Sequence, residues 1–158
     1  PCSTIRPSIN STNCVSPAPT SFHQKILFAI AKTLAGHVEG RHNGEVIIAP
    51  FDVKLDKSRN AVQPDITVIL KSNPNQIVEG RYSGVPDLVV EILSPGNKDH
   101  DLIVKKDLYE KFGVQEYWIV DPETKLAMGF SLQEKQYRKI GEAIGSIYSP
   151  LLQAGFEF

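Results

Sequence analysis

The amino-acid sequence predicts an α/β fold, ordered as helix, two or three strands, an acidic buried strand, helix, strand and a closing strand pair. Three stretches carry that prediction. Residues 85–112, VPDLVVEILSPGNKDHDLIVKKDLYEKF, read as one strand, a short turn and one helix. A run beginning at Ser21 repeats apolar residues with the period of a helix. Glu116–Val120, EYWIV, is a β-prone run closed by a turn at Asp121-Pro122.

With 158 residues, 41% of them hydrophobic, the chain can bury one core of its own. Residues 1–20 are rich in Ser, Thr, Asn and Pro and show no period, so they are expected to form a loose tail, with residues 21–158 as a single domain. The chain opens on Pro1 rather than Met, as a trimmed or incomplete start would. A net charge of -1 and a pI of about 6.5 argue against strong non-specific binding to nucleic acid, while leaving room for a local basic cleft. Cys2 and Cys14 both fall in the tail, too few for a disulfide scaffold. No apolar run approaches ~20 residues and no signal segment is visible, so no membrane span is expected and a cytoplasmic location is.

Ser21 and Gln24 make a capping-box pattern at the start of the first helix. Phe22, Ile26, Leu27, Ile30 and Leu34 supply its core face, Gly36 ends it, and His23 reads as a polar first-turn residue. A polar turn over residues 37–44 follows, in which His37 and His42 are expected to be solvated. Residues 45–49 and 51–55 read as one hairpin arm interrupted at Pro50, and residues 56–60 as a turn. Residues 62–70 alternate, with Ile66, Val68 and Leu70 on one face and Asp65, Thr67 and Ile69 on the other; Pro64 puts Asp65 at the start of a strand. A polar loop over 71–84 leads to the central strand. Beyond the second helix, residues 126–132 and 136–140 are expected to pair as a hairpin, and the remainder to Phe158 is short and mixed.

The central strand divides by alternation. Leu88, Val90 and Ile92 point one way; Asp87, Val89, Glu91 and Leu93 point the other. Near-continuous apolar runs belong to strands covered on both faces, so Glu91 falls in or beside a covered layer, where an ionised carboxylate is costly unless compensated. Asn97 or Asp99 can cap the following helix, and Gly113 can close it. At about 100° per residue, Leu102, Val104, Leu108, Tyr109 and Phe112 share one broad arc, with Lys105 near its middle and Asp101 beside it. A lysine there either snorkels or reaches a partner acid. Tyr109 and Trp118 read as core, Lys106 and Lys111 as surface.

Several chemistries are absent from the sequence. No Cys/His set has zinc spacing, and there is no P-loop, GxGxxG or GxSxG, so no organic cofactor is expected. What remains is acidic: Asp65, Asp87 and Glu91, with Asp101 and Lys105 from the helix. Two carboxylates from neighbouring strands plus a main-chain carbonyl make a hard-oxygen site suited to Mg²⁺ (or Mn²⁺) and a phosphate substrate. Such a metal polarises the phosphate and acidifies a bound water, while an ammonium steadies the developing charge or orients that water. Asp87 and Glu91 are four apart on one strand, roughly 13 Å at ~3.3 Å per residue, too far to share one ion easily at about 2.1 Å. Asp65, from another strand, can lie beside Glu91. Asp65 and Glu91 are therefore the candidate metal ligands, and Asp87 takes second rank. Taken singly, each residue has an ordinary structural explanation: Pro-Asp opens strands and turns, and Glu91 with Lys105 can be a buried ion pair without catalysis. Their joint placement favours the functional reading.

The strings VQPDITVI, GVPDLVVEILSP, Asp101-x3-Lys105-x3-Tyr109 and GVQEYWIVDP together resemble the Uma-type family of restriction-endonuclease-like proteins, assigned to the PD-(D/E)XK nuclease superfamily. The similarity runs over roughly residues 16–140, and VSPAPTSFHQKI resembles the family's segment before and into its first helix. The resemblance implies a restriction-endonuclease-like α-β-β-β-α-β core with a mixed central sheet, here with an added C-terminal strand pair. In the superfamily motif the acid and the lysine are two apart on one strand. Leu93 stands where that lysine is expected, and the resemblance implies a lysine migrated to the helix, at Lys105. Carried over residue by residue, Asp65 matches the PD aspartate, Glu91 the acid of (D/E)XK, and Lys105 the lysine. The catalytic set is then Asp65, Glu91 and Lys105, with Asp87, Asp101 and Tyr109 in second rank. Two features depart from the family. Residues 1–15 lack its acidic, tyrosine-containing stretch, and the first helix offers no Glu on a site-facing position, where related nucleases often add a metal-site acid.

The expectation is a Mg²⁺- or Mn²⁺-dependent DNA endonuclease, homodimeric by analogy with enzymes that cut both strands. The alternative from another class is a nuclease-fold module that binds DNA or a protein partner with weak or absent catalysis. A phosphodiesterase acting on RNA or nucleotides is a third possibility. A Lys105 turned to solvent would leave the fold without the enzyme.

Overall fold

The structure, a computed structural model, describes residues 19–56, 61–94 and 101–158, with side chains from residue 103 onward in the last stretch. Most of the expected tail, the caps proposed at Asn97 and Asp99, most of the 56–60 turn and the side chains of Asp101 and Leu102 lie outside the described residues.

The first helix, α1 (Ser21–Val38), is capped one residue earlier than the capping-box pattern places it. Thr20 has the extended backbone an N-cap requires (φ -71°, ψ 161°), and its hydroxyl accepts the His23 N–H at 3.2 Å. Ser21 is already helical, and Gly36 does not stop the helix, which runs on to Val38. Its buried face is His23, Ile26, Leu27, Ile30, Leu34 and Val38, whereas Phe22, expected in the core, is 57% exposed because it precedes that stripe by about 100°.

In chain order the strands are β1 (Gly44–Ile48), β2 (Val53–Lys54), β3 (Ala61–Val62), β4 (Ile66–Leu70), β5 (Tyr82–Ser83), β6 (Leu88–Ile92), β7 (Glu116–Val120), β8 (Leu126–Gln133), β9 (Gln136–Ile144), β10 (Ser146–Ser149) and β11 (Ala154–Glu157). Between β6 and β7 a π-helical turn, Asp101–Lys105, runs into α2 (Lys106–Phe112), which Gly113 closes with the left-handed backbone expected of it (φ 88°). Six strands form one mixed sheet in the order β1-β4-β6-β7-β8-β9. Its strand pairs are antiparallel except β6 with β7, which run parallel and are joined by the crossover through α2.

The two prolines divide what alternation alone joins. Residues 45–55 are not one arm: β1 pairs with β4 in the main sheet, and past Pro50 the chain enters a small sheet ordered β3-β2-β5. Residues 62–70 split likewise at Pro64 into β3 and β4. Proline has no N–H to give a ladder, so each becomes a boundary between sheets. The loop over 71–84 contributes β5 to the same small sheet.

Both faces of the main sheet are covered. Ile66, Val68, Leu88, Val90, Ile92 and Trp118 pack under α1, and Ile69, Val89, Leu93, Tyr117 and Ile119 pack with Tyr109 of α2 and with Val53, Val62 and Tyr82 of the small sheet. The C-terminal residues are not mixed coil. They form the β10–β11 hairpin, whose Ile147 and Phe156, with Leu152 of the turn, close the α1 side of the core. Each of those strands has only four residues, too few for alternation to register. Among the described residues no helix is long and apolar enough to cross a membrane.

Candidate active site

The β4–β6 register sets Ile66 opposite Val90, which brings Asp65, one residue ahead of β4, alongside Glu91. Asp65 is tied there on two sides. Its Oδ2 accepts the Ile92 N–H at 2.8 Å, and its main-chain carbonyl accepts the Ala49 N–H at 2.9 Å. Glu91 faces the opposite layer from Val90 and Ile92, toward α2. Lys105 Nζ lies 2.8 Å from Glu91 Oε2, and the Tyr109 hydroxyl donates to Oε1 at 2.7 Å. Lys105 and Tyr109 are four residues apart, one turn, so a single helix edge grips both carboxylate oxygens.

The π-helical turn bears on how Lys105 comes inward. Val104, expected on the apolar arc, is exposed, as is Ile103, while Lys105 is only 7% exposed. A π turn is wider than an α turn, so the 100° phase that placed Val104 on the arc does not carry through residues 101–105. Burial pushes the Glu91 carboxyl up to about 7; the Lys105 charge opposes that rise and the Asp65 charge adds to it. Burial and the adjoining Glu91 push the Tyr109 hydroxyl well above its ordinary range.

Asp87 is not part of this cluster. Its Oδ2 accepts from Leu70 N at 2.7 Å and Asn73 Nδ2 at 2.9 Å, and its Oδ1 accepts from Gln115 Nε2 at 2.9 Å. It stitches β4, the loop after it and the approach to β7 at the far end of β6. Asp101 has no described side chain, so its second-rank role has no geometry here.

One site residue escapes the sequence reading. His23 is buried to 1% exposure, with Nε2 3.4 Å from Asp65 Oδ1. The reading of it as an ordinary polar first-turn residue is therefore corrected. A wheel of α1 holds the signal: Ile30 and Leu34, seven and eleven positions on, lie within about 20° of His23, so it sits mid-stripe as Lys105 does. His37 is corrected too. It is half-buried, with Nε2 3.1 Å from the Leu152 carbonyl and its ring edge-on to Phe156, because the last turn of α1 faces the β10–β11 hairpin. His42 is exposed, as expected.

Among the described residues no three His, Cys, Asp or Glu side chains form a ready cation cage. The donor chemistry nonetheless fits a divalent ion. Asp65 Oδ1 is buried and accepts no hydrogen bond among the described residues, and an orphaned carboxylate oxygen is costly unless a cation or water completes it.

A helix-covered mixed sheet with Asp65 at the entry to β4 and Glu91 on the neighbouring β6 defines a restriction-endonuclease-like α/β protein. Among solved structures, the chain is similar to a putative nuclease belonging to DUF820 from Anabaena variabilis. That match has a TM-score of 0.68 and 19% identity, and covers 87% of this chain and 76% of the other; at that identity the likeness establishes the fold. Nothing among curated proteins matches the chain. Residues 12–157 match the family model Uma2, described as "Putative restriction endonuclease", and the chain belongs to that family.

Proposed function

We infer that the protein is a divalent-metal-dependent nuclease that hydrolyses phosphodiester bonds of DNA, acting as a homodimer so that two sites address two strands. The observation that carries this reading is the gathering of Lys105 and Tyr109 from one helix edge, and of Asp65 from the entry to β4, around the buried Glu91 carboxylate. Asp65 and Glu91 would hold Mg²⁺ or Mn²⁺, which when bound polarises the phosphate and acidifies a water. The chain's own groups supply the remainder. Lys105 opposes the rise that burial imposes on the Glu91 carboxyl and would present positive charge where the phosphate gains negative charge. Tyr109 fixes the carboxylate's orientation through Oε1, and the Ile92 N–H does the same for Asp65. Membership of a family whose model is described as "Putative restriction endonuclease" supports DNA as the substrate.

One observation favours the alternative, a nuclease-fold module without catalysis: the Glu91–Lys105–Tyr109 cluster already satisfies itself. Cleavage of supercoiled plasmid in Mg²⁺ or Mn²⁺ separates the two. Nicking by wild type that is lost in Glu91→Ala is expected, and equal nicking by both proteins would overturn the nuclease reading. DNA binding without cleavage would establish the module.

A further inference from the structure

The outer face of the small sheet carries polar chemistry that the Glu91 cluster does not use. In β2 and β5, Val53 and Tyr82 turn inward, and the parallel register sets Lys54 beside Ser83 on the outside. Arg81, two residues before Ser83, shares that outer side and is exposed. A tight turn holds it there. Val78 and Arg81 exchange both main-chain hydrogen bonds at 3.0 Å, with Glu79 and Gly80 at positive φ between them (50° and 71°). These residues line a cleft of about 710 Å³ together with the segment 74–76. That segment is fixed as well. The Asn75 N–H donates to Asn73 Oδ1 at 2.9 Å, and Gln76 Nε2 donates to the Leu70 and Asn73 carbonyls at 3.1 and 2.8 Å. The cleft is thus formed before any ligand arrives.

Its two cations are uncommitted. Among the described residues, neither Lys54 nor Arg81 makes an ion pair or a side-chain hydrogen bond. Asp52, the one carboxylate in the lining, accepts from Gln63 Nε2 at 2.7 Å. The lining is therefore net positive on a chain whose net charge is -1. The small sheet covers the same layer of the main sheet that Glu91 faces, since Tyr82 packs in one cluster with Tyr109 and Leu93. Its Tyr82 hydroxyl donates to the Val85 carbonyl at 2.9 Å, which puts the cleft near the opposite end of β6 from Glu91. The length of β6 separates the two, roughly 13 Å at ~3.3 Å per residue. A ligand that reaches both is a chain about four nucleotides long, at about 3.4 Å each, rather than a single nucleotide.

We propose that this cleft is a backbone-binding subsite for DNA, in which Lys54 and Arg81 hold phosphates about four nucleotides from the bond that is cut. This rests on the nuclease reading of the Glu91 site and adds where the strand is held. Phosphate contacts fix the register of a duplex without reading its sequence, and Asn75 and Ser83 offer further donors to phosphate and sugar oxygens. Lys54 and Arg81 touch no reacting atom in this arrangement. They are positioning residues, felt in affinity and KM rather than in kcat.

The test measures binding and cleavage separately. A fluorescein-labelled DNA duplex of about 20 base pairs is titrated by anisotropy in EDTA, from about 50 to about 200 mM KCl, with three proteins. These are wild type, Lys54→Ala/Arg81→Ala, and the charge-retaining Lys54→Arg/Arg81→Lys, each confirmed as folded by circular dichroism. Plasmid cleavage in Mn²⁺ then gives KM and kcat. The alanine pair should bind about tenfold or more weakly, and its slope of log affinity against log salt should be shallower by about 2, one for each cation removed. The charge-retaining pair should keep the wild-type slope. KM should rise in the alanine pair while kcat stays within about twofold. Unchanged affinity and slope in the alanine pair, a charge-retaining pair as weak as the alanine one, or a wild type that does not bind the duplex would each overturn the subsite. Wild-type cleavage alongside any of these results leaves the nuclease reading standing. Charge-dependent binding without wild-type cleavage overturns the nuclease reading and leaves the cleft as the DNA contact of a binding module.

Discussion

Lys105 Nζ stands 2.8 Å from Glu91 Oε2, with both side chains withdrawn from solvent. A pair so placed is a poor device for stability. Desolvating two charges costs several kcal/mol, roughly what their attraction returns, and packed apolar residues of the same volume often serve a fold as well or better. Leu93, two residues along the same strand face, fills the same layer as a plain hydrophobe. The fold thus gives little reason for the pair, and the chemistry at the carboxylate gives a good one.

The first prediction concerns pH. Burial raises the folded Glu91 pKa from 4.5 to about 7, so folding favours the protonated carboxyl. The sign follows: this contribution is complete below pH 4.5 and is lost as pH rises through 7. In urea melts, metal-free wild type should lose stability between pH 5 and pH 8 relative to Glu91→Gln, by no more than about 3 kcal/mol. Parallel stability profiles for the two proteins would contradict the assignment.

Tyr109→Phe removes the donor to Glu91 Oε1. A lost hydrogen bond to a charged acceptor costs about 1.5–3 kcal/mol, and because that bond holds the Glu91 pKa down, the pKa should climb further. A carboxyl-carbon NMR titration that finds Glu91 protonating at the wild-type pH would show the hydroxyl to be idle.

Asp87→Asn separates the acid that stitches from the acids proposed to react. The amide replaces an oxygen that accepts from Leu70, Asn73 or Gln115, so the melting temperature should drop by the equivalent of about 2–3 kcal/mol. Cleavage per folded molecule should be unchanged. A loss of turnover without a loss of stability would return Asp87 to the site.

Much of this arrangement is legible in the sequence, for identifiable reasons. Alternation reports strand faces faithfully where a strand is central, so the layers of β4 and β6 follow from Ile66–Leu70 and Leu88–Ile92. An ionisable residue amid an apolar stripe is a similarly local signal, and it marks Lys105. The same signal marks His23, but its place in the first turn offers an ordinary polar explanation that hides it. What local pattern cannot carry is partnership between sheets. Nothing in residues 45–70 says that β2 and β3 leave the main sheet to join β5, because that choice depends on Tyr82 and Ser83, which pair with Val53 and Lys54 from beyond the stretch. The role of Asp87 is invisible for the same reason, since its three partners come from three different segments.

The central claim is that the catalytic lysine has moved from the strand to the helix, and one comparison tests it most directly. Supercoiled plasmid is incubated with Mn²⁺ and wild type, Lys105→Met, or the double variant Leu93→Lys/Lys105→Met, each verified as folded by thermal melts. Leu93 shares the Glu91 face two residues on, where a restored lysine would again adjoin the carboxylate. Lys105→Met should lose about 100-fold or more in cleavage rate, and the double variant should recover a measurable part of it. Cleavage by Lys105→Met at the wild-type rate would contradict the claim.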